Sequence, residues 1–234
     1  MLRLVRDGDP RPLAAPGALP WPGRPRRGRP FRVLVLGGAR SGKSGTAERM
    51  LATRERADYV ACGPAVDGTD PSWAERVRLH RERRPARWTT LETLDLAGVL
   101  TQAPPARRAV PVLVDCLSTW LAGVMDECGL WADATGAVGA DGPDGADGPA
   151  GTTDADGPAD ADKEVASRVD ALLDAWRSTR RQVVAVSNEV GSGVVPATVS
   201  GGRFRDELGT LNARIAAECE QVWLCVAGIP RRIR

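Results

Sequence analysis

The sequence predicts an α/β domain of the P-loop NTPase-like kind, with a mostly parallel sheet and helices on both faces. Two observations carry that expectation. Apolar runs with strand character recur at residues 33–36, 58–61, 110–114, 182–186 and 221–226, and helical patterns fall between them at 44–53, 71–84, 92–101, 117–128, 163–179 and 204–218. Continuous apolar strands alternating with amphipathic helices are the pattern of a parallel sheet buried on both faces. The second observation is the glycine-rich segment Gly37-Gly38-Ala39-Arg40-Ser41-Gly42-Lys43-Ser44, which joins the first apolar run to the first helix.

That segment has the spacing G-x-x-x-x-G-K-S in the strand–loop–helix setting the motif requires. Glycines let a backbone wrap a polyphosphate without Cβ clashes, so that N–H groups and the helix N-terminus face the anion. Gly37, Gly38, Ala39, Arg40, Ser41, Gly42, Lys43 and Ser44 are therefore the expected cradle of a nucleoside triphosphate. Lys43 would reach the β- and γ-phosphates and Ser44 would hold Mg²⁺. A glycine-rich turn that binds nothing is the alternative, and the position between a buried strand and a helix argues against it.

The second apolar run ends in the turn Ala61-Cys62-Gly63. The next helix carries His80, the one histidine of the chain, and stops at Pro85, which cannot continue it. An isolated histidine is ordinarily a surface or capping residue. Here Arg78, Arg81, Arg83 and Arg84 flank it, a poor place for a cation and a good one for phosphate. The same charges favour neutral imidazole, the form that attacks phosphorus. An extended piece at 87–91 is a further candidate strand.

Val112-Leu113-Val114-Asp115 ends a buried strand in a carboxylate. Such an aspartate is often only a helix N-cap. Downstream of a P-loop it has the form of a Walker-B element, so Asp115 joins Ser44 as an expected Mg²⁺ ligand. The run at 182–186 leads into Asn188-Glu189-Val190-Gly191-Ser192-Gly193-Val194-Val195-Pro196, which fits a substrate loop or an ordinary turn. Asn188 and Glu189 are its candidate substrate contacts. Arg203, Arg205 and Asp206, at the start of the next helix, fit either salt-bridged surface or substrate contacts, with Arg205 the candidate.

Two segments stand outside this pattern. Residues 1–30 are rich in Pro, Arg, Gly and Ala without periodicity and read as a flexible extension. Residues 132–162 are almost wholly Ala, Gly, Asp, Pro and Thr, too poor in large apolar groups to offset their ordering entropy, and read as a disordered acidic insertion. The expectation is a single domain over 31–234 interrupted by that insertion. A net charge of +2 is too small to imply a nucleic-acid partner. No run reaches the roughly 18 apolar residues of a membrane span, and the N-terminus lacks the apolar core of a secretory signal. Lys43 and Lys163 are the only lysines, which makes a lysine inside the glycine-rich loop harder to treat as an accident. Cys62, Cys116, Cys128, Cys219 and Cys225 form no C-x-x-C pair and read as reduced thiols of a cytoplasmic protein.

Certain pieces occur together: Leu36 to Ser44; His80-Arg81 with Arg84-Pro85 and Trp88; Val114-Asp115-Cys116-Leu117; and Ser187-Asn188-Glu189-Val190-Gly191. They are followed by Phe204-Arg205-Asp206 with Gly209 and Asn212, and by Val222-Trp223-Leu224 with Ala227-Gly228-Ile229-Pro230. In this combination, over about residues 31–230, the chain resembles the bifunctional adenosylcobinamide kinase/adenosylcobinamide-phosphate guanylyltransferases of cobalamin biosynthesis. The resemblance implies two reactions at one nucleotide site. The corrinoid's aminopropanol hydroxyl takes the γ-phosphoryl of ATP or GTP; then a histidine, His80 here, attacks the α-phosphorus of GTP, and the corrinoid phosphate displaces it to give adenosylcobinamide-GDP. The resemblance further implies GTP contacts from Arg81, Glu82, Arg83 and Arg84, from Glu92 and Asp115, and from the turn Ala61-Cys62-Gly63. A homotrimer with the site near a subunit boundary is also implied. The chain departs from the family where Cys62 replaces a common Thr, where Asp70-Pro71-Ser72-Trp73 replaces an acidic stretch with Met, and where Ser200-Gly201-Gly202 replaces Leu-Ala-Arg. Beside the bifunctional reading stand the same fold with one of the two activities, and a P-loop nucleotide switch.

Overall fold

A computed structural model describes residues 30–63, 71–102, 110–131 and 157–234. The expected N-terminal extension, apart from Pro30, lies outside the described residues, as do 132–156 of the expected insertion. Among the described residues the chain folds as β1 (Arg32–Gly37), α1 (Lys43–Leu51), β2 (Asp58–Ala61), α2 (Pro71–Arg83), β3 (Thr89–Glu92), α3 (Leu96–Thr101) and β4 (Val112–Asp115). It continues through α4 (Leu117–Glu127), α5 (Gly157–Ser178), β5 (Val183–Asn188), α6 (Val199–Ala217), β6 (Gln221–Val226) and β7 (Ile229–Arg232).

The strands form one sheet in the order β3-β2-β4-β5-β1-β6-β7, parallel throughout except for the β6–β7 hairpin. Side chains alternate across a strand, so each buried run serves two cores. Leu34, Leu36, Val60, Val112, Val114, Val183 and Ala185 face α3, α4, α5 and α6, where Trp120 and Trp176 are fully covered. Val33, Val35, Tyr59, Leu113, Val184 and Val186 face the other way, onto Ala47, Met50 and Leu51 of α1. Helices thus cover both faces of a mostly parallel sheet. The carboxyl ends of β1, β4 and β5 meet at one edge, because β5 runs between the other two in matched register, pairing Gly37 with Asn188 and Asp115 with Val186.

Some boundaries differ from the sequence reading for local reasons. The helix expected from residue 92 begins at Leu96: residues 89–92 pair with β2 as β3, and Asp95 Oδ1 accepts the Gly98 N–H at 2.8 Å as the cap. Helix α6 starts at Val199 rather than near 204, because Thr198 Oγ1 accepts the Gly201 N–H at 3.2 Å and draws Ser200-Gly201-Gly202 into the first turn. Helix α5 begins at Gly157, inside the stretch expected to be insertion, and Asp162 there pairs with Arg203 of α6. The five cysteines are free thiols and four of them are buried.

At the amino ends of β2 and β5 lies a buried ion pair. Arg181 donates to Asp58 Oδ2 at 2.5 Å, to the Val110 carbonyl at 3.0 and 3.1 Å, and to the Val99 carbonyl at 3.2 Å, with both residues 2% exposed. Removing one partner strands a charge in the core. Asp58→Ala is therefore expected to lower unfolding free energy by about 3–5 kcal/mol in urea titrations. Replacing both partners with apolar side chains of similar volume should recover much of that loss, whereas a near-neutral Asp58→Ala would show that the pair does not carry this junction.

Candidate active site

The loop between β1 and α1 has the backbone its glycines permit. Gly42, the N-cap of α1, has φ +88°, and a Cβ there would come within 3.3 Å of Gly228 Cα. That close approach is made by the β6–β7 turn, where Ala227 and Gly228 also adopt positive φ and the Gly228 N–H donates to the Ser41 carbonyl at 3.0 Å. The Ala227-Gly228 piece of the sequence is thus a buttress under the loop. Lys43 is 5% exposed and its Nζ donates to the Gly38 carbonyl at 3.2 Å, spanning the loop it belongs to. Ser41 Oγ is buried without a hydrogen-bond partner among the described residues.

Asp115 stands at the centre of the site. Ser44 Oγ donates to its Oδ1 at 3.2 Å, the Tyr59 hydroxyl donates to its Oδ2 at 2.7 Å, and His80 Nδ1 lies 3.5 Å from the same Oδ2. Its side chain is 7% exposed and that of His80 20%. Burial alone would raise the Asp115 carboxyl; hydrogen bonding from His80, Tyr59 and Ser44 outweighs it and holds the group below the usual carboxylate range. Burial also pushes the Tyr59 phenol far up, so it stays a donor.

Helix α2 reaches this centre through its arginines. Arg83 pairs with Glu48 of α1 at 3.3 Å, Arg81 pairs with Glu92 of β3 at 2.6 Å, and Arg84 lies over the Tyr59 ring, 3.4 Å from its centroid, while donating to Thr90 Oγ1 at 3.0 Å. Glu82 pairs instead with Arg78 on the exposed side of the helix. The Ala61-Cys62-Gly63 turn follows β2, with Ala61 in register with Asp115 and Cys62 buried.

On the other side of the loop, the Glu189 N–H donates to the Gly37 carbonyl at 3.1 Å, and its carboxylate accepts the Gly191 N–H at 2.9 Å. Asn212 of α6 donates to the Asn188 carbonyl at 2.9 Å. The structure therefore brings the cradle, Asp115, His80, Asn188 and Glu189 to one edge of the sheet. Arg205 pairs with its neighbour Asp206 at 2.8 Å.

The donor set can be matched to a cation. The Ser44 hydroxyl and Asp115 carboxylate are hard oxygen ligands of the kind Mg²⁺ takes. Glu48, His80 and Asp115 also converge, their ligand atoms within 4.8 Å of one another, but an imidazole in that group suits Mg²⁺ poorly. Burial raises the Glu48 carboxyl against the pull of Arg83. Glu48 and Tyr59 escaped the sequence reading. The first looks like helix-surface charge and the second like one residue of an apolar strand.

Comparison with known proteins gives one answer. The profile of the family described as cobinamide kinase / cobinamide phosphate guanyltransferase matches residues 33–233. The bifunctional adenosylcobalamin biosynthesis protein CobP of Pseudomonas aeruginosa is 37% identical over 206 residues, 87% of this chain and 98% of that protein. The bifunctional adenosylcobalamin biosynthesis proteins CobU of Escherichia coli and Salmonella typhimurium are each 31% identical over 202 residues, 86% of this chain and 99% of theirs. Among solved structures, a prototypical ATPase of a type III secretion system aligns at a TM-score of 0.47 and 12% identity, over 84% of this chain and 52% of that one, a likeness too distant to bear on function.

Proposed function

The chain belongs to the cobinamide kinase/cobinamide phosphate guanyltransferase family, and on that premise we propose that it phosphorylates adenosylcobinamide with ATP or GTP and then transfers GMP from GTP, through a guanylylated His80, to form adenosylcobinamide-GDP. The observation that carries this reading is that the only histidine and the phosphate cradle share one carboxylate: Asp115 faces His80 Nδ1 through Oδ2 and takes the Ser44 hydroxyl on Oδ1.

In the first reaction the corrinoid hydroxyl attacks the γ-phosphorus, losing its proton, and the nucleoside diphosphate leaves. The backbone N–H groups of 37–44 and Lys43 hold the phosphates in line and oppose the charge that develops on them. In the second, the lone pair of His80 Nε2 attacks the α-phosphorus of GTP and pyrophosphate leaves. An oxygen of the corrinoid phosphate then attacks the same phosphorus and the imidazole leaves, so one hard displacement becomes two easier ones. The Asp115 contact at Nδ1 leaves Nε2 as the attacking nitrogen and steadies the imidazole as it gains positive charge. That contact is long, as such contacts often are before substrate binds. Ser44 and Asp115 would hold Mg²⁺, which when bound draws charge from the phosphate oxygens. Arg81, Arg83 and Arg84, with Glu92 and the Ala61-Cys62-Gly63 turn, complete the GTP side of the site, and Asn188, Glu189 and Arg205 the acceptor side; Glu82, paired with Arg78 on the outer face of α2, stands apart from it.

The same reading carries a cytoplasmic location and a homotrimer with sites near subunit boundaries. No helix among the described residues is long and apolar enough to cross a membrane. The direct test is to incubate the full chain with Mg²⁺, GTP and adenosylcobinamide and to separate the corrinoids by chromatography with mass detection. Adenosylcobinamide phosphate should appear first and adenosylcobinamide-GDP later, with pyrophosphate released in step with the second. Phosphate ester alone would establish the kinase-only reading. GTP hydrolysis with neither corrinoid product would establish the nucleotide switch.

A further inference from the structure

We propose that Tyr59 is a positioning residue for guanylyl transfer: its hydroxyl fixes the Asp115 carboxylate so that Oδ2 meets His80 Nδ1, which selects the imidazole tautomer whose Nε2 lone pair is free to attack. The proposal rests on the reading of His80 as nucleophile.

The geometry begins with sheet register. Tyr59 pairs with Leu113 across the β2–β4 ladder, so Asp115, two residues on, shares the face of the sheet that Tyr59 uses. The diagonal between such neighbours is within reach of a long aromatic side chain. The phenol spans it and donates to Asp115 Oδ2 at 2.7 Å, while Ser44 takes Oδ1 at 3.2 Å. Held from both oxygens, the carboxylate has little freedom to rotate. The same Oδ2 faces His80 Nδ1 at 3.5 Å, where only a protonated Nδ1 meets it favourably. Free neutral histidine prefers the proton on Nε2, the form in which the attacking nitrogen is blocked, so the site must reverse that preference.

Tyr59 is itself held. It is 2% exposed among Val33, Val35, Met50 and Leu113, and the Arg84 guanidinium lies on its ring at 3.4 Å. Arg84 is four residues beyond His80, so the ring also ties the end of α2 to the strand that presents the hydroxyl. A phenol hydroxyl facing a carboxylate oxygen can only donate to it. Tyr59→Phe keeps the ring, its packing and the Arg84 contact, and deletes only the hydrogen bond.

The composition of the chain makes the test direct. His80 is the only histidine and Tyr59 the only tyrosine. In an untagged, ¹⁵N-histidine-labelled chain at alkaline pH, the imidazole nitrogens report one residue. The wild type is expected to populate the Nδ1–H tautomer, and Tyr59→Phe to revert toward Nε2–H. Formation of the GMP–protein adduct at saturating GTP should slow by about 10- to 100-fold, as is typical for loss of a supporting hydrogen bond, with GTP affinity nearly unchanged. Phosphoryl transfer should fall much less, because it does not use the imidazole.

A wild-type tautomer in Tyr59→Phe, or an adduct rate equal to wild type, overturns the proposal. So does an equal loss in both reactions, which would mean that Tyr59 serves Asp115 alone. Global replacement of tyrosine by 3-fluorotyrosine gives a second reading, since it changes this one residue by a single ring fluorine beside the hydroxyl, which makes the hydroxyl a stronger donor. The His80 nitrogen resonances are expected to move, and unmoved resonances overturn the proposal. A wild-type chain that forms no adduct would overturn the nucleophile reading itself, and the tautomer measurement separates that failure because it needs no turnover.

Discussion

Replacing His80 by alanine is expected to abolish guanylyl transfer while leaving phosphorylation of adenosylcobinamide within a few-fold of wild type. The loss should be on the order of 10⁴- to 10⁶-fold, the scale seen when a covalent nucleophile is deleted. The asymmetry follows from where the nucleophile comes from in each step. In the kinase step the attacking oxygen belongs to the substrate; in the transferase step the attacking nitrogen belongs to the chain. The deletion also leaves Asp115 with the donors Tyr59 and Ser44, so the buried carboxylate stays satisfied and the cradle keeps its support. Adenosylcobinamide phosphate should accumulate in the variant. Parallel losses in both reactions would place His80 in the shared nucleotide site as a binding group.

Lys43→Ala should behave in the opposite way and damage both reactions. Each needs the triphosphate held and its developing charge opposed, and Lys43 is the only lysine of the loop. Loss of one such donor costs about 10²- to 10³-fold in rate, and the same order is expected here for phosphoryl transfer and for adduct formation. The side chain is 5% exposed and spans the loop to the Gly38 carbonyl, so some slackening of the loop should accompany the loss of charge. Isothermal titration with GTP and a thermal melt separate the two, since a collapsed loop would lower the melting temperature as well as the affinity. A Lys43→Ala chain that retains either activity near the wild-type level would contradict a single nucleotide site for both steps.

Much of this architecture was legible in the chain because buried parallel strands are continuous apolar runs bounded by turn residues. Strands β2 and β6 fall where those runs stand, and β4 only shifts by a residue or two. Strand β7 had no such signal: Ile229-Pro230-Arg231-Arg232 lies at the sheet edge, with Pro230 where an edge tolerates it and without an alternating face. The start of α6 was hidden for a different reason. Gly201 and Gly202 are poor helix formers, and only the Thr198 cap and packing of the later turns make them helical. At the site, the cradle, His80 and Asp115 announce themselves by residue type and spacing. Tyr59 and Glu48 do not, because their roles arise from strand register and from the approach of α2 to α1, neither of which is written in local sequence. The arginines after His80 were legible as a cluster, but not their partners: Arg81 with Glu92, Arg83 with Glu48 and Arg84 on Tyr59.

The covalent intermediate on His80 is the central claim, and it can be measured without any corrinoid. The full chain is incubated with Mg²⁺ and GTP labelled at either the α- or the γ-phosphate, denatured, and counted for protein-bound label. Label from α-GTP but not γ-GTP, labile to acid, stable to base and absent in His80→Ala, is the predicted result. No α-label in a folded chain that binds GTP would contradict the guanylylated histidine and leave the kinase-only and switch readings in its place.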